Sequence, residues 1–390
     1  MSEIKVNSIK GVAASTAALT INNTDGTCTA NITNNLSNRN LIINGAMQVA
    51  QRGTSSTSSG YHTVDRFSVE DGGVDEASTK EQAAVTSGGA YDSGFRNCLK
   101  ITNGNQTGGA GASDYVQIMQ RIEAQNMANS GWNYPSSSSF ITLSFWVKSS
   151  VAQVYSGSVR TQDGTSYSYK FDTPSISADT WTKVTKTIPG NSNLTFADDN
   201  GHGFDVFIYP FIGTTYTSSN ANTETWITGA TNTYANDMTS TWYTTNNATF
   251  EVTGVQLEVG SVATDFEHRS FGEELALCQR YFQQIGAYGQ DGTYAIAAAY
   301  LYSHGNYMAS GYIMPVMMRA TPKITQGSTG LQCKSDGTTA NISSYNFIET
   351  VFPSTYISIS GALASDAGNE DELALWVLPS HGHALLSAEL

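Results

Sequence analysis

Apolar and polar positions alternate with a period of two along much of this 390-residue chain, as expected of strands with one buried face. Across residues 140–147, Ile141, Leu143, Phe145 and Val147 share one side, with Thr142, Ser144 and Trp146 on the other. Residues 204–212 repeat the pattern with Phe204, Val206 and Ile208. Their opposite side carries Asp205, Phe207, Tyr209 and Phe211, which predicts a strand covered on both faces. In residues 250–259 the phase slips: Phe250 and Val252 agree, then Val255, Leu257 and Val259 take over, with Gly254 between them. A β-bulge at Gly254 would return the apolar residues to one side. Turns rich in Gly, Asn and Ser separate such runs, so residues 41–268 predict one all-β unit, a jelly-roll β-sandwich.

The period changes to helical once. Ser270-Phe271-Gly272-Glu273 reads as a capping box, and Leu275, Cys278, Tyr281, Phe282 and Ile285 follow at helical spacing. Residues 269–286 are therefore expected to form a short linking helix. Residues 287–390 predict a second β unit, a C-terminal β-sandwich, in which Met314, Met317 and Met318 read as core filling. Residues 1–40 hold one short hairpin, with Leu19-Thr20-Ile21 and Cys28-Thr29-Ala30-Asn31-Ile32 on either side of the Thr24-Asp25-Gly26-Thr27 turn signal. Its apolar side chains are too few for a core. It stays disordered, or it is stable because several copies bury Leu19, Ile21 and Ile32 against one another.

Composition narrows the chemistry. Nineteen Lys and Arg against 33 Asp and Glu leave a net charge of −14, which repels phosphate backbones and anionic lipid and argues against a nucleic-acid partner. Charged residues are only 13% of the chain, while Tyr 20, Phe 15 and Trp 6 are plentiful, a neutral-polar surface with rings that suits sugars. Met1-Ser2-Glu3-Ile4-Lys5 lacks the apolar core of a signal peptide, and residues 294–302, the longest apolar run, are too few to cross a bilayer as a helix. Synthesis in a cytoplasm without membrane insertion is the expectation. Cys28, Cys98, Cys278 and Cys333 are far apart with no CxxC, which predicts reduced, packed thiols rather than a zinc or redox site.

Asn40-Leu41-Ile42-Ile43-Asn44-Gly45-Ala46-Met47-Gln48, Gln51-Arg52-Gly53-Thr54 and Val64-Asp65-Arg66-Phe67 resemble the opening of the jelly-roll domain of bacteriophage tail fibres. Gln120-Arg121-Ile122-Glu123, Ser144-Phe145-Trp146-Val147-Lys148 and Trp181-Thr182-Lys183-Val184 continue in that family's order. The most specific stretch is Gly254-Val255-Gln256-Leu257-Glu258-Val259-Gly260 with Phe266-Glu267-His268-Arg269-Ser270 and Gly272-Glu273-Glu274-Leu275-Ala276-Leu277-Cys278-Gln279-Arg280-Tyr281. Met318-Arg319-Ala320-Thr321-Pro322 and Ala388-Glu389-Leu390 match the second domain. The resemblance runs from about residue 40 onward. It implies a homotrimeric receptor-binding fibre of the virion tail, with a jelly roll like a carbohydrate-binding module, that attaches to host surface glycan. Residues 1–40 would then join a tail or adaptor protein of the virion.

Sugar recognition in such a domain needs flat rings against pyranose faces, with amides and carboxylates around them. Loop-borne rings are the candidates: Trp226 first, then Trp242 and Tyr243, then Tyr216, Tyr234 and Trp132 with its neighbour Tyr134. Ordinary burial is the competing reading for each. Trp146 and Trp181, in regular strands, are assigned to packing. Tyr345, Phe347 and Tyr356 give the second unit an equal claim to the receptor contact. Asp198-Asp199-Asn200-Gly201 resembles the start of a calcium loop without its later carboxylate, and His381-Gly382-His383 reads as surface residues, so no cofactor or metal is expected. Neither a paired-carboxylate site nor a Gly-x-Ser-x-Gly elbow emerges, since Glu273-Glu274 belong to the helix cap, Glu370-Asp371-Glu372 form a charge run, and Glu251 and Glu258 point to no partner. A non-enzymatic fibre is expected; a polysaccharide depolymerase and a ligand-free tail adaptor are the alternatives.

Overall fold

The alternation is realised as two antiparallel six-stranded sheets, face to face. The computed structural model describes residues 8–9, 19–21, 28–30, 38–218, 222–285, 294–303, 307–326, 332–335, 338–347, 356–363, 373–378 and 384–390. Sheet I runs Trp226–Thr228, Tyr167–Asp172, Ser156–Thr161, His202–Ile212, Tyr115–Glu123, Ser68–Gly72. Sheet II runs Thr182–Pro189, Phe140–Ser149, Thr249–Val259, Asn97–Thr102, Thr79–Ala84, Ser55–Ser56. Ile141, Leu143, Phe145 and Val147 from sheet II meet Phe204, Val206 and Ile208 from sheet I in one core. Each such side chain, fully buried, is worth roughly 1.5–3 kcal/mol, so the pairing of the two inner faces is the main source of stability.

Gly254 is the bulge. Its φ is +62°, and the register between Thr249–Val259 and Phe140–Ser149 shifts between Thr253 and Gln256. The extra residue keeps Phe250, Val252, Val255 and Leu257 in one core; Val259, at the strand end, is 40% exposed. On His202–Ile212 both faces are buried, as expected. A second register shift, between Ile208 and Phe211, turns Phe211 into the main core, while Phe207 and Tyr209 pack outside sheet I with Met119, Ile212 and Ala235.

Two expectations for the second half need correction. The helix is Phe271–Gln279, shorter than residues 269–286. Its capping box is present: Glu273 N donates to Ser270 Oγ at 3.3 Å and Ser270 N to Glu273 Oε2 at 2.9 Å. The helix stops because the next residues find better partners in a sheet. Phe282–Ile285 pairs with Ala384–Ser387, which also pairs with Lys323–Gln326. Nor do the remaining strands make a sandwich. Tyr294–Ser303, Tyr307–Ile313, Tyr356–Leu363, Thr338–Phe347, Gln332–Ser335 and Leu373–Leu378 close into a six-stranded barrel. Register shifts within three of its pairings bend and twist the ribbon until its last strand meets its first, which removes free edges. At the other end of the chain, Ser8–Ile9, Leu19–Ile21 and Cys28–Ala30 form a three-stranded antiparallel sheet; the Asp25-Gly26 turn lies outside the described residues.

The segment 388–390 ties the second half to the sandwich. Glu389 reaches Arg52 Nη2 at 3.0 Å and pairs with Arg66 Nη1, and Arg121 Nη1 donates to the Leu390 carbonyl. Arg319 donates to the carbonyls of Ala388 and Glu389, at 2.9 and 3.2 Å, and to Asn200 O at 2.7 Å. The guanidinium of Arg66 lies 3.4 Å over the Tyr281 ring, and that of Arg52 lies 3.5 Å over Phe282. Nearby, Glu123 is fully buried and accepts from Arg280 Nε and Nη2, both at 2.7 Å, and from the Tyr281 hydroxyl at 2.6 Å. These hydrogen bonds outweigh the desolvation of Glu123 and hold its carboxyl below the usual range.

Asp65 behaves oppositely. Burial lifts its carboxyl from 3.8 to about 6, although Arg52 and Gln51 act to lower it. Between those values the folded protein keeps a proton that the unfolded chain has lost. This group's contribution to stability is therefore greatest below about pH 4 and declines as pH rises through 6. Asp65→Asn should flatten that part of the stability profile, measured by urea unfolding from pH 4 to 7. An unchanged slope would refute the assignment.

Candidate functional site

On the outer face of sheet I, register brings together residues distant in sequence. Arg160, Asp205 and Arg121 stand opposite one another on three adjacent strands. Two residues along, Ser158, Phe207, Met119 and Ser68 form the next row, and beyond it Gln117 faces Glu70. The segments that follow His202–Ile212 bring Tyr216 and Tyr234 over this surface. The result is a cleft of about 470 Å³ lined by Glu70, Tyr115, Gln117, Arg121, Arg160, His202, Asp205, Phe207, Tyr216 and Tyr234, among others.

Its rings interlock at right angles. Tyr115 meets Tyr216 edge-on at 5.7 Å, Tyr216 meets Tyr234 at 6.3 Å, and Phe207 meets Tyr234 at 5.9 Å. The polar side is organised by Asp205, 2% exposed, whose Oδ2 accepts from Gln162 Nε2 at 2.5 Å and whose Oδ1 lies 2.5 Å from His202 Nε2. Arg121 Nε stands 3.9 Å from the same carboxylate. At the other end, Glu70 accepts from Gln117 Nε2 at 2.9 Å and Ser68 Oγ at 3.2 Å. Burial, then the nearby Glu70 charge, raise the Tyr115 hydroxyl above the usual tyrosine range, so it stays a neutral donor at physiological pH. Rings set among fixed amides, guanidinia and carboxylates can stack on a pyranose and hydrogen-bond its hydroxyls.

Of the six rings singled out in the sequence, Tyr216 and Tyr234 are brought to this cleft and four are not. Trp242 is fully buried, with Nε1 donating to Thr249 O at 3.1 Å, and Tyr243 stacks on Phe211 at 4.4 Å with its hydroxyl on Asp114. Trp226 opens a short edge strand, packs on Tyr169 and donates to Pro189 O at 2.6 Å. Trp132 is buried between Tyr134 and Phe196. The corrected assignment for these four is core. A polar neighbourhood in sequence placed them on the surface, yet large rings in short connections are what cap the open ends of a sandwich. Trp146 and Trp181, assigned to packing, are half-buried against a small cluster around Phe95 and Cys98.

Arg160, Asp205, Arg121, Glu70, Tyr115 and His202 were not singled out. The signal available was the outward phase of their strands: Tyr115, Gln117, Met119 and Arg121 alternate with the core residues Val116, Ile118 and Ile122. Two larger clefts, about 620 and 630 Å³, flank the Phe271–Gln279 helix and are lined without any Trp, Tyr or Phe. The Asp198–Gly201 turn is occupied by protein contacts: Asn129 on Asp198, Gly201 N on Asp199, and Arg319 on Asn200. No group of three or more His, Cys, Asp or Glu able to hold a metal occurs among the described residues; His381 and His383 lie outside them. No described helix is long and apolar enough to cross a membrane.

No protein-family model and no curated protein matches the chain. Among solved structures it is similar to the enzymatically active domain of bacteriophage CBA120 tailspike protein 4, at 11% identity and a TM-score of 0.30, over 57% of this chain and 21% of that one. It is also similar to the family 11 carbohydrate-binding module of Clostridium thermocellum, at 13% identity and a TM-score of 0.24, over 54% of this chain and 98% of that one. The N-terminal cellulose-binding domain of Cellulomonas fimi β-1,4-glucanase C aligns at 11% identity and a TM-score of 0.26, over 55% of this chain and 99% of that one. Strand pairing and a shared core make the first unit a β-sandwich independently of these alignments.

Proposed function

We propose that the chain is a receptor-binding fibre of a phage tail that holds host surface polysaccharide, without covalent chemistry, in the cleft on the outer face of sheet I. The observation that carries this reading is the convergence of Tyr115, Phe207, Tyr216 and Tyr234 with Gln117, Arg160, His202 and Asp205 in one cleft. The sequence resemblance from residue 40 onward supports the phage assignment. A trimer would give the small sheet of residues 8–30 the partners its few apolar residues need, and would multiply weak single-site binding into avidity. Attachment to the virion tail through residues 1–40 belongs to the same reading.

Binding is favoured over hydrolysis by spacing. Asp205 and Glu70, the two carboxylates in the cleft, are two strand steps apart sideways and four residues apart along the strand. Standard sheet dimensions put them about 16 Å apart, beyond the roughly 5–9.5 Å of an acid/base or nucleophile pair. Tyr216→Ala and Tyr234→Ala should each weaken retention on host polysaccharide about five- to thirtyfold with little change in melting temperature. Full retention by the double variant would remove the cleft from the function. New reducing ends on incubation with host polysaccharide would favour the depolymerase. Undiminished phage adsorption under antibodies that cover the chain would favour the adaptor.

A further inference from the structure

Within that cleft, Arg160 is unusual. It is 7% exposed, yet among the described residues its guanidinium has neither an ion pair nor a hydrogen bond, and its Nε is buried without an acceptor. Its one close partner is the Tyr234 ring, 4.0 Å beneath the guanidinium carbon. A buried guanidinium without a counter-charge is unfavourable, and a cation–π contact recovers only part of that cost. The neighbouring carboxylate is taken: Asp205 stands opposite Arg160 in the register, but its two oxygens face Gln162 and His202. Glu70 is three strands away and four residues along, about 19 Å by sheet dimensions. Arg160 also has a made place. A Cβ on Gly229 would sit 2.9 Å from Arg160 Nη2, so the glycine opens the room into which the fork extends.

We infer that the cleft takes an acidic glycan and that Arg160, stacked on Tyr234, receives the carboxylate of a sugar acid. This rests on the saccharide reading of the cleft and narrows it to a ligand class. A guanidinium fork matches a carboxylate with two parallel hydrogen bonds, which supplies the missing acceptors and the missing charge together. The chain's net charge of −14 opposes an anionic polymer at long range, so recognition has to come from this local pairing. The geometry also sets an orientation: the acidic residue lies at the Arg160–Tyr234 end, and hydroxyl-bearing neighbours run towards Gln117 and Glu70.

The test is affinity electrophoresis of the full chain in gels containing polygalacturonate, alginate, hyaluronan or polysialate, each compared with its carboxyl-reduced, neutral form. At least one acidic polymer should retard the protein, with at least tenfold weaker binding to the reduced form. Arg160→Gln should lose that preference, and Arg160→Lys should keep only part of it because an ammonium cannot fork. The comparison of native and reduced polymers needs no variant, so a misfolded Arg160→Gln protein leaves the result intact. Sulfated dextran bound as tightly as any of the four would overturn the carboxylate assignment. Neutral polymer bound equally by the wild type and Arg160→Gln would overturn the inference and leave the saccharide reading standing. Retention by no polymer, acidic or neutral, would overturn both.

Discussion

Replacing Glu389 with Ala should destabilise the protein by about 3–5 kcal/mol, the cost typical of removing one partner of a buried ion pair. Arg66 is 1% exposed, the Arg52 side chain is 9% exposed, and Glu389 is the carboxylate both of them reach. Removing it leaves two guanidinia facing each other's charge, Arg52 with Asp65 at 3.6 Å and the Phe282 ring, and Arg66 with only the Arg121 carbonyl and the Tyr281 ring. Burial lowers the Arg66 pKa and Glu389 is the main group that raises it, but a guanidinium is too basic to lose its proton near neutral pH, so Arg66 stays charged when Glu389 is gone. Because residues 388–390 also hold Arg319 and Arg121, the contact between the two halves should loosen as well. Calorimetry should show a lowered melting temperature, and limited proteolysis should show new cleavage between the sandwich and the barrel. Glu389→Gln, which keeps shape and hydrogen-bonding oxygen but not charge, should cost less. A melting temperature equal to that of the wild type would show that the pair contributes nothing net.

Trp242→Ala should cost about 3–5 kcal/mol in folding and leave glycan binding by the folded fraction unchanged. The indole is fully buried, packs edge-on to Phe250 at 6.3 Å and donates to Thr249 O. Truncation opens a cavity under the sandwich end and leaves the Thr249 carbonyl without that donor. The companion is Tyr234→Ala, which should do the reverse, weakening retention with little loss of stability. Urea unfolding and affinity electrophoresis on the same two proteins separate the roles. Loss of binding by Trp242→Ala at temperatures where it is folded would return Trp242 to the site.

The comparison of these two rings shows where the sequence was legible. Alternation placed Ile141, Leu143, Phe145 and Val147 inward, and the phase slip located the bulge at Gly254. The Ser270 capping box marked the helix start, because a cap depends on residues three positions apart. The helix end was not legible, since whether Tyr281 and Phe282 continue a helix or join a strand depends on Ala384–Ser387, a hundred residues away. The barrel escaped for the same reason, closure being a contact between the first and last strands of a ribbon. Trp226, Trp242, Tyr243 and Trp132 were misplaced because local polarity says nothing about which connection folds back over a sheet end.

Local pattern therefore settled which side of each strand turns to the core, where the chain bulges and where its helix begins; these depend on neighbours within a few residues. Register between distant strands settled the rest. It set Arg160 beside Asp205 and Arg121 and laid Tyr216 and Tyr234 over them. It also left the Nε of Arg160 buried without an acceptor, because a period of two states a side chain's direction but never names its partner across the sheet.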